Sequence, residues 1–259
     1  MSDAGLIWRP YLATFHRERA GVIEAVLSRS FAGEHSHSPY RWLARAVSAG
    51  SGVVLDVACG SGPMSRELVQ DGRMVVGLDL SAEELRLAAD RGPGPWVRAD
   101  ALSLPFADRS VDAVTSSIGL VVVQPLDRVI SEISRVLRPG GVLAAIAPAL
   151  RPLAPRDLRV LSRINARLRT KPQFPGPVEL TGFARTLLAH GMRRVEDARE
   201  RYSFTVATRA DAELMLSALY LPQTRHSRIM AATELLEDRV KRRGPVEVAI
   251  PMRRLVAIK

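Results

Sequence analysis

Three aspartates stand near the ends of predicted strands, and a glycine-rich turn follows the first of them. Asp56 lies within the run Val53–Val57, which is typical of a buried parallel strand, and the small residues Ala58–Gly62 come directly after it. Asp79 ends a second apolar run about twenty residues beyond the turn, and Asp100 follows a third short run. Carboxylates at such strand ends hold ribose hydroxyls, and the helix after a glycine turn offers free N–H groups. The spacing therefore predicts a site for a nucleotide-like cofactor.

Strands and helices must alternate to bring these side chains to one edge of a sheet. The predicted strands of the first part are Val53–Val57, Met74–Leu78, Trp96–Arg98, Val111–Thr115 and Val142–Ala147. A helix is expected over Met64–Asp71, after the glycine turn. Further along, Arg193–Thr208 should hold a sixth strand, and Val246–Ile258 a final one in which Pro251 favours a break. The alternation indicates an α/β fold.

Four sequence blocks extend this pattern, namely Asp56–Gly62, Gly77–Ser81, Ala99–Phe106 and Arg135–Gly141. In this order and spacing they resemble the class I S-adenosylmethionine-dependent methyltransferases, especially the branch of quinone-biosynthesis and natural-product enzymes. Ala58 occupies the place of the family's first loop glycine. The resemblance implies an α/β, Rossmann-like, doubly wound mixed sheet of seven strands, with the last strand antiparallel and with helical insertions. It also implies S-adenosylmethionine (SAM) as cofactor and S-adenosylhomocysteine (SAH) as product.

The resemblance assigns roles to residues of this chain. Asp56 should organise the turn and meet the methionine amino group, Asp79 should accept from both ribose hydroxyls, and Asp100 should bind the adenine amino edge together with the backbone of Ala101. Gly60 and Gly62 should allow the methionine portion to approach. The expected cofactor-binding residues are Asp56, Ala58, Cys59, Gly60, Gly62, Asp79, Leu80, Asp100, Ala101, Leu102, Ser116 and Ser117.

Five of these residues are expected to act through apolar contacts, through the backbone or through packing. Leu80 and Leu102 should sandwich the adenine ring, and Ser116 and Ser117 should contact the methionine part through their backbone. Cys59, the only cysteine, is interpreted as a small buried residue under the cofactor rather than a nucleophile. A single cysteine also excludes a disulfide framework and a cysteine-based metal site.

Charge divides the chain into two parts. The net charge is +10, yet residues 1–150 hold 15 basic and 16 acidic residues, whereas residues 151–259 hold 22 and 11. No apolar run reaches the roughly 20 residues that a membrane span needs. The first residues lack a basic segment followed by an apolar one, so we expect a cytoplasmic protein without a signal peptide.

A single methyltransferase domain, 1–259, is expected, with a helical cap over 1–50 and a cofactor-binding core over 51–148. The cap should contain helices at Leu6–Ser30 and Tyr40–Ala49. Helical insertions at 149–175 and 209–243 are interpreted as a substrate lid. Within the first, the predicted helix Asp157–Arg169 has an arginine face that suits an anionic substrate, although such faces are commonly just solvated. Its members are Arg156, Arg159, Arg163 and Arg167.

No catalytic pair stands out, and a methyl sulfonium needs mainly a positioned nucleophile and exclusion of water. The segment Val121–Val123 is purely apolar, which predicts an apolar pocket wall and no base from that loop. Any general base should come from the cap or from His226. The candidates in the cap are His16, His37, Tyr11 and Tyr40. His35 and His37 have no further ligand at suitable spacing, so no metal site is expected.

Three functions remain open on the sequence. The first is methylation of a small organic acceptor such as a natural product, quinone, lipid or sugar derivative, by a monomer or homodimer. The second is RNA methylation, because the basic second half could follow phosphates. Against it stand the low aromatic content of 5% and the absence of an Asn/Asp-Pro-Pro turn at Ser116–Leu120. The third is a protein that binds the cofactor without methylating anything, or uses it for another reaction.

Overall fold

One mixed sheet organises the computed structural model, which describes residues 3–32 and 37–259. Its strands are Ser30–Phe31 (β1), Val53–Val57 (β2), Met74–Asp79 (β3), Trp96–Arg98 (β4), Val111–Ser117 (β5), Leu137–Pro148 (β6), Arg193–Val206 (β7) and Val246–Ile258 (β8). The helices of the first half are Asp3–Glu18 (α1), Val22–Leu27 (α2), Pro39–Ala44 (α3), Pro63–Leu68 (α4), Ala82–Arg91 (α5), Gly119–Val122 (α6) and Leu126–Val136 (α7). Those of the second half are Pro155–Leu168 (α8), Phe183–Ala189 (α9), Arg209–Ser217 (α10) and His226–Arg243 (α11), with a 3-10 turn at Val178–Leu180.

The strand order is β1-β7-β8-β6-β5-β2-β3-β4. Strands β2 to β6 run parallel, while β8 is antiparallel to both β6 and β7. This confirms the predicted Rossmann-like mixed sheet. The two-residue β1, antiparallel to β7, adds an eighth strand within the described residues. The parallel strands end at one edge, which brings their carboxyl ends together.

Strand β8 passes through Pro251 without interruption, so the expected break there is wrong. Pairing between β8 and β6 ends at Met252, one residue after the proline. The Pro251 carbonyl accepts from Ala149 N–H, so the proline nitrogen faces the same side, beyond the last pair of that ladder. A missing N–H at such a position costs the sheet nothing.

Alternate residues of the strands face opposite layers of helices. In β2, Leu55 joins a buried cluster with Ile133 of α7 and Leu187 of α9. The preceding residue, Val54, joins a second cluster with Leu43 of α3 and Leu68 of α4. A period of two therefore gives both faces of the sheet an apolar cover, as a doubly wound fold requires.

The predicted helix Leu6–Ser30 is wrong as a single element, because it consists of α1 and α2 with a break at Gly21. Gly21 has a φ of +76°, and a Cβ there would lie 2.5 Å from Leu87 Cδ2. Its N–H donates to Glu84 Oε2 at 3.0 Å. Only glycine fits this turn, which ties the cap to α5.

The two insertions pack on each other, on the last residues of β7 and on the first residues of β8. A third buried cluster joins Ile164 of α8, Leu216 of α10 and Leu236 of α11 to Phe204 of β7. The exposed side chains Arg156, Arg159, Arg163 and Arg167 form what we call the basic face of α8. No helix among residues 3–32 and 37–259 is long and apolar enough to cross a membrane.

Candidate active site

A cavity of about 1000 Å³ lies at the carboxyl edge of β2, β3 and β5. One wall is the glycine turn and the strand ends, and another is formed by α1 and α2. Pro175 and Tyr220, each from a segment after β6, complete the lining. Of the expected cofactor residues, the ones that line this cavity are Asp56, Ala58, Cys59, Gly60, Asp79, Leu80, Asp100, Ala101, Leu102 and Ser117.

Asp79, the last residue of β3, has half of its carboxylate capacity in use. Its Oδ2 accepts from Gly60 N–H at 2.8 Å and its Oδ1 from Ser81 N–H at 2.9 Å. A carboxylate has about four lone-pair sites, so one site on each oxygen remains for a ligand in the cavity. Burial raises the pKa of Asp79, against the hydrogen bonds from Ser81 and Gly60 and the nearby His16. Hydrogen bonds from two ribose hydroxyls would stabilise the ionised form of this buried carboxylate.

Asp56 is fully buried beneath the turn. Its two oxygens accept from Ser65 at 2.8 Å and Thr115 at 2.9 Å. Burial raises the pKa of Asp56 to about 7, although both hydroxyls oppose the shift and Asp79 adds to it. With Glu84 also buried nearby, this end of the cavity is rich in carboxylates. Such a set of negatively charged acceptors suits a ligand that carries an ammonium and a sulfonium charge, as SAM does.

The loop after β4 presents Asp100 and Leu102 to the cavity. Asp100 Oδ1 accepts from Leu102 N–H at 3.0 Å, which closes a tight turn and leaves Oδ2 without a partner in the described residues. Leu80 is 53% exposed on the opposite side, so its apolar surface is available to a flat ring. Arg135 fixes the continuation of this loop by donating to the carbonyl oxygens of Leu104 and Phe106 at 2.9 and 2.7 Å.

Two expected residues, Gly62 and Ser116, lie outside the cavity lining. A Cβ on Gly62 would come within 2.6 Å of the Trp96 ring, and its φ is +79°. The glycine therefore serves packing behind the turn rather than approach of a ligand. Ser116 is buried, and its hydroxyl donates to Val57 O at 2.9 Å. It joins β5 to β2 instead of facing the cavity.

The lining beyond the glycine turn is mostly apolar. The side chains involved are Trp8, Leu12, Ile118, Val122, Val123, Pro125 and Pro175. Among them lies Gln124, whose Oε1 accepts from Leu126 N–H at 3.2 Å. Its buried Nε2 has no hydrogen-bond partner among the described residues. The predicted apolar wall at Val121–Val123 is present, with Val121 itself fully buried.

The four candidate bases separate into two pairs. His16 and Tyr40 line the cavity, whereas Tyr11 and His37 do not. Tyr11 accepts from Leu221 N–H at 2.8 Å, and His37 lies 3.6 Å from a carboxylate oxygen of Glu200 on β7. His226 is exposed at the start of α11, also away from the cavity. His35 lies outside the described residues.

Burial argues against two groups as nucleophile or base. Cys59 is 5% exposed, and burial together with Asp56 raises the pKa of its thiol well above the ordinary value. Burial and the nearby Glu24 carboxylate likewise raise the pKa of Tyr40. Both groups therefore stay protonated at neutral pH, which agrees with a packing role for Cys59.

Sequence reasoning missed Glu24, Glu84 and Tyr220. Glu24 of α2 accepts from the Ser61 hydroxyl at 2.5 Å, so it fixes the glycine turn from the cap side. Glu84 follows Ser81 at the spacing of a capping box, a signal that assigns its side chain to the helix end. In the structure that carboxylate instead accepts from His16, 68 residues away. The one local signal for these contacts is Gly21, which indicates a turn between α1 and α2.

The expected lid is only partly present at the cavity. From 149–175 only Pro175 reaches the lining, and from 209–243 only Tyr220 does. The basic face of α8 is absent from it, because α8 packs over the ends of β7 and β8. These arginines therefore do not line the cavity in this structure, and their covering of an anionic substrate stays a prediction.

The fold and the cavity define a class of protein: a Rossmann-like domain with an adenosine-type cofactor site at the carboxyl edge of its parallel strands. Residues 55–145 match the family described as a methyltransferase domain, which confirms the resemblance inferred from the sequence blocks. Among curated proteins, a demethylmenaquinone methyltransferase from Thermobifida fusca is 41% identical over 119 residues. The match covers 43% of this chain, and the chain spans half the length of that relative.

Solved structures show the same fold over most of the chain. A SAM-dependent methyltransferase from Methanosarcina mazei matches with a TM-score of 0.51 and 20% identity, covering 84% of this chain and 96% of that one. The [4+2]-cyclase SpnF matches with a TM-score of 0.59 and 20% identity, covering 98% and 92%. At this identity the likeness concerns the fold alone, and one of these proteins is a cyclase.

Proposed function

We propose that this protein is a SAM-dependent methyltransferase that acts on a small organic acceptor. The observation that carries the proposal is the Asp79 carboxylate, held by Gly60 and Ser81 N–H groups with one free acceptor site on each oxygen inside the cavity. The match of residues 55–145 to a methyltransferase domain supports the same conclusion.

The chain's own residues supply binding and exclusion of water. Asp79 would hold the ribose, Asp100 and the backbone of Ala101 the adenine edge, and Leu80 and Leu102 its faces. Asp56, ionised by a neighbouring ammonium group, would fix the methionine end. The bound cofactor supplies a methyl group already activated as a sulfonium. Since α1, Pro175 and Tyr220 also line the cavity, they would shield an acceptor at that methyl group from part of the bulk water.

The lining indicates what kind of acceptor fits. Trp8, Leu12, Val122 and Pro175 offer an apolar surface for a hydrocarbon or aromatic body. An RNA acceptor is not favoured, because the basic face of α8 does not adjoin the cavity.

Calorimetric titration with SAM, followed by an assay for SAH release, tests the proposal. Binding with one site per chain is expected, and SAH should appear with an apolar acceptor from a panel of hydroxyaryl and acyl compounds. A folded protein that fails to bind SAM would refute the assignment. Tight binding without SAH release from any acceptor would favour a role such as that of the cyclase of similar fold. A cytoplasmic location and a monomer or homodimer remain part of the proposal.

A further inference from the structure

Three side chains from distant parts of the chain form one hydrogen-bonded array on the cavity wall. His16 of α1 has its Nδ1 2.9 Å from Glu84 Oε1 and its Nε2 3.0 Å from the Tyr220 hydroxyl oxygen. Glu84 is 4% exposed and Tyr220 is 3% exposed, and all three line the cavity. A carboxylate, an imidazole and a hydroxyl in sequence is the arrangement by which proteins move protons.

The partners of the array determine where its protons lie. Glu84 Oε2 accepts from Gly21 N–H at 3.0 Å, and a carboxylate can only accept, so Nδ1 of His16 carries the proton facing Oε1. In a neutral imidazole Nε2 is then an acceptor, and the hydroxyl proton of Tyr220 points at it. The tautomer thus follows from the hydrogen-bond network.

Tyr220 is placed to meet an acceptor. No described residue donates to its hydroxyl oxygen, which is left with free lone pairs on the cavity wall. The centroid of its ring lies 4.7 Å from that of Phe15 and 5.7 Å from that of Phe174, the residue before Pro175 of the apolar wall. Burial and the carboxylates of Glu84 and Asp79 raise the pKa of Tyr220, so its phenol does not remain ionised.

We propose that Tyr220 and His16 form a proton relay that takes the hydroxyl proton of the acceptor, with Glu84 holding the imidazole; this rests on the methyltransferase function proposed above. The acceptor O–H bond breaks and a new O–H bond forms on Tyr220. The original hydroxyl proton of Tyr220 moves to Nε2 of His16. The electron pair stays on the acceptor oxygen, ready to attack a methyl group directly or through a conjugated carbon. Glu84 then faces an imidazolium.

The relay limits the chemical class of the acceptor. An ordinary imidazole and an ordinary phenol differ by about 3.5 pH units in their ionisation. An aliphatic alcohol, similar to water, lies about nine units above imidazole. The acceptor is therefore a compound with an acidic hydroxyl, such as a phenol, a hydroquinone or an enol, on an apolar body.

The first test uses 4-nitrophenol as a coloured stand-in for the acceptor, added to the protein with SAH bound. If the relay operates, the bound probe should ionise at a pH about one unit below that of free probe. Tyr220→Phe and His16→Asn should abolish this shift. Tyr202→Phe is the matched control, because Tyr202 is equally buried, lies in another cluster and should keep the shift. An unchanged shift in Tyr220→Phe, or no shift in the folded parent, would overturn the relay.

The second test needs no ligand and separates this inference from the proposed function. Nitrogen NMR of histidine-labelled parent protein should show His16 protonated at Nδ1, with a Nε2 signal that changes in Tyr220→Phe and not in Tyr202→Phe. A parent protonated at Nε2 would refute the relay even if SAM binds and is turned over. Conversely, a protein that shows the expected tautomer but neither binds SAM nor releases SAH would refute the methyltransferase function alone.

Discussion

Replacement of Asp79 by asparagine tests the cofactor site with little change in shape. Each carboxylate oxygen accepts one backbone N–H, from Gly60 at 2.8 Å and from Ser81 at 2.9 Å. An asparagine has only one such oxygen, so in either orientation its NH₂ group must face a backbone N–H. The variant therefore loses one of these bonds as well as the negative charge that would meet the ribose.

The magnitude follows from the bonds at stake. Hydrogen bonds to a charged acceptor contribute about 1.5–3 kcal/mol each, and a neutral amide retains part of this. A loss of about 2.7 kcal/mol in total corresponds to a hundredfold weaker binding of SAM. The affinity for adenosine should fall by a similar factor because adenosine carries the same ribose. The affinity for methionine alone should change little.

Calorimetry on the parent and the variant measures both ligands, and Asp71→Asn provides the same substitution at an exposed site. Circular dichroism must show that Asp79→Asn folds as the parent does. Equal affinity of parent and variant for adenosine would refute the reasoning, since the two free acceptor sites of Asp79 would then not contact a ribose. A similar loss in Asp71→Asn would mean that net charge, and not the site, controls binding.

Three further outcomes are expected. Ala58 has a φ of +55°, so Ala58→Gly should relieve about 1–2 kcal/mol of left-handed strain. The greater freedom of glycine in the unfolded chain opposes this by about 0.4–1 kcal/mol. The net effect should raise Tm by a few degrees in a thermal melt. Burial raises the pKa of Asp56 to about 7, so the folded protein holds this proton more tightly, and the free energy of unfolding should fall between about pH 4 and 7. Urea titrations should show that fall in the parent and its loss in Asp56→Asn. Glutamine in place of every arginine of the basic face of α8 should leave the rate of SAH release with an acceptor unchanged, whereas a substrate lid would require a loss.

The sequence predicted the cofactor half well because its signals are local. Val53–Val57 is a short apolar run with a glycine turn directly behind it, and such a run is typical of a buried strand. Asp79 and Asp100 follow from the same logic, since parallel strands bring their carboxyl ends to one edge. The family resemblance then specified which ligand atoms each acid should meet.

The features that the sequence could not place depend on tertiary contacts, which leave no local pattern in the sequence. The side of the sheet that α8 covers is set by its packing against β8 and α11, so its arginine face could not be placed from spacing alone. Likewise, the bond from His16 to Tyr220 spans 204 residues. Glu84 stands at the capping-box spacing after Ser81, a local pattern that predicts a helix end and does not indicate a partner on α1.

The acid-rich end of the cavity and the proposed relay are two sides of one electrostatic arrangement. Burial, together with a neighbouring carboxylate (Asp79 for Asp56, Glu84 for Asp79), raises the pKa of both aspartates, which is a cost in the free protein. A bound cationic cofactor would offset that cost until its methyl group is transferred. Protonation of His16 beside Glu84 would then place a positive charge in the same cavity. The relay would thus keep the carboxylates compensated through the reaction, and the later loss of that proton would leave a neutral product against uncompensated acids, which favours its release.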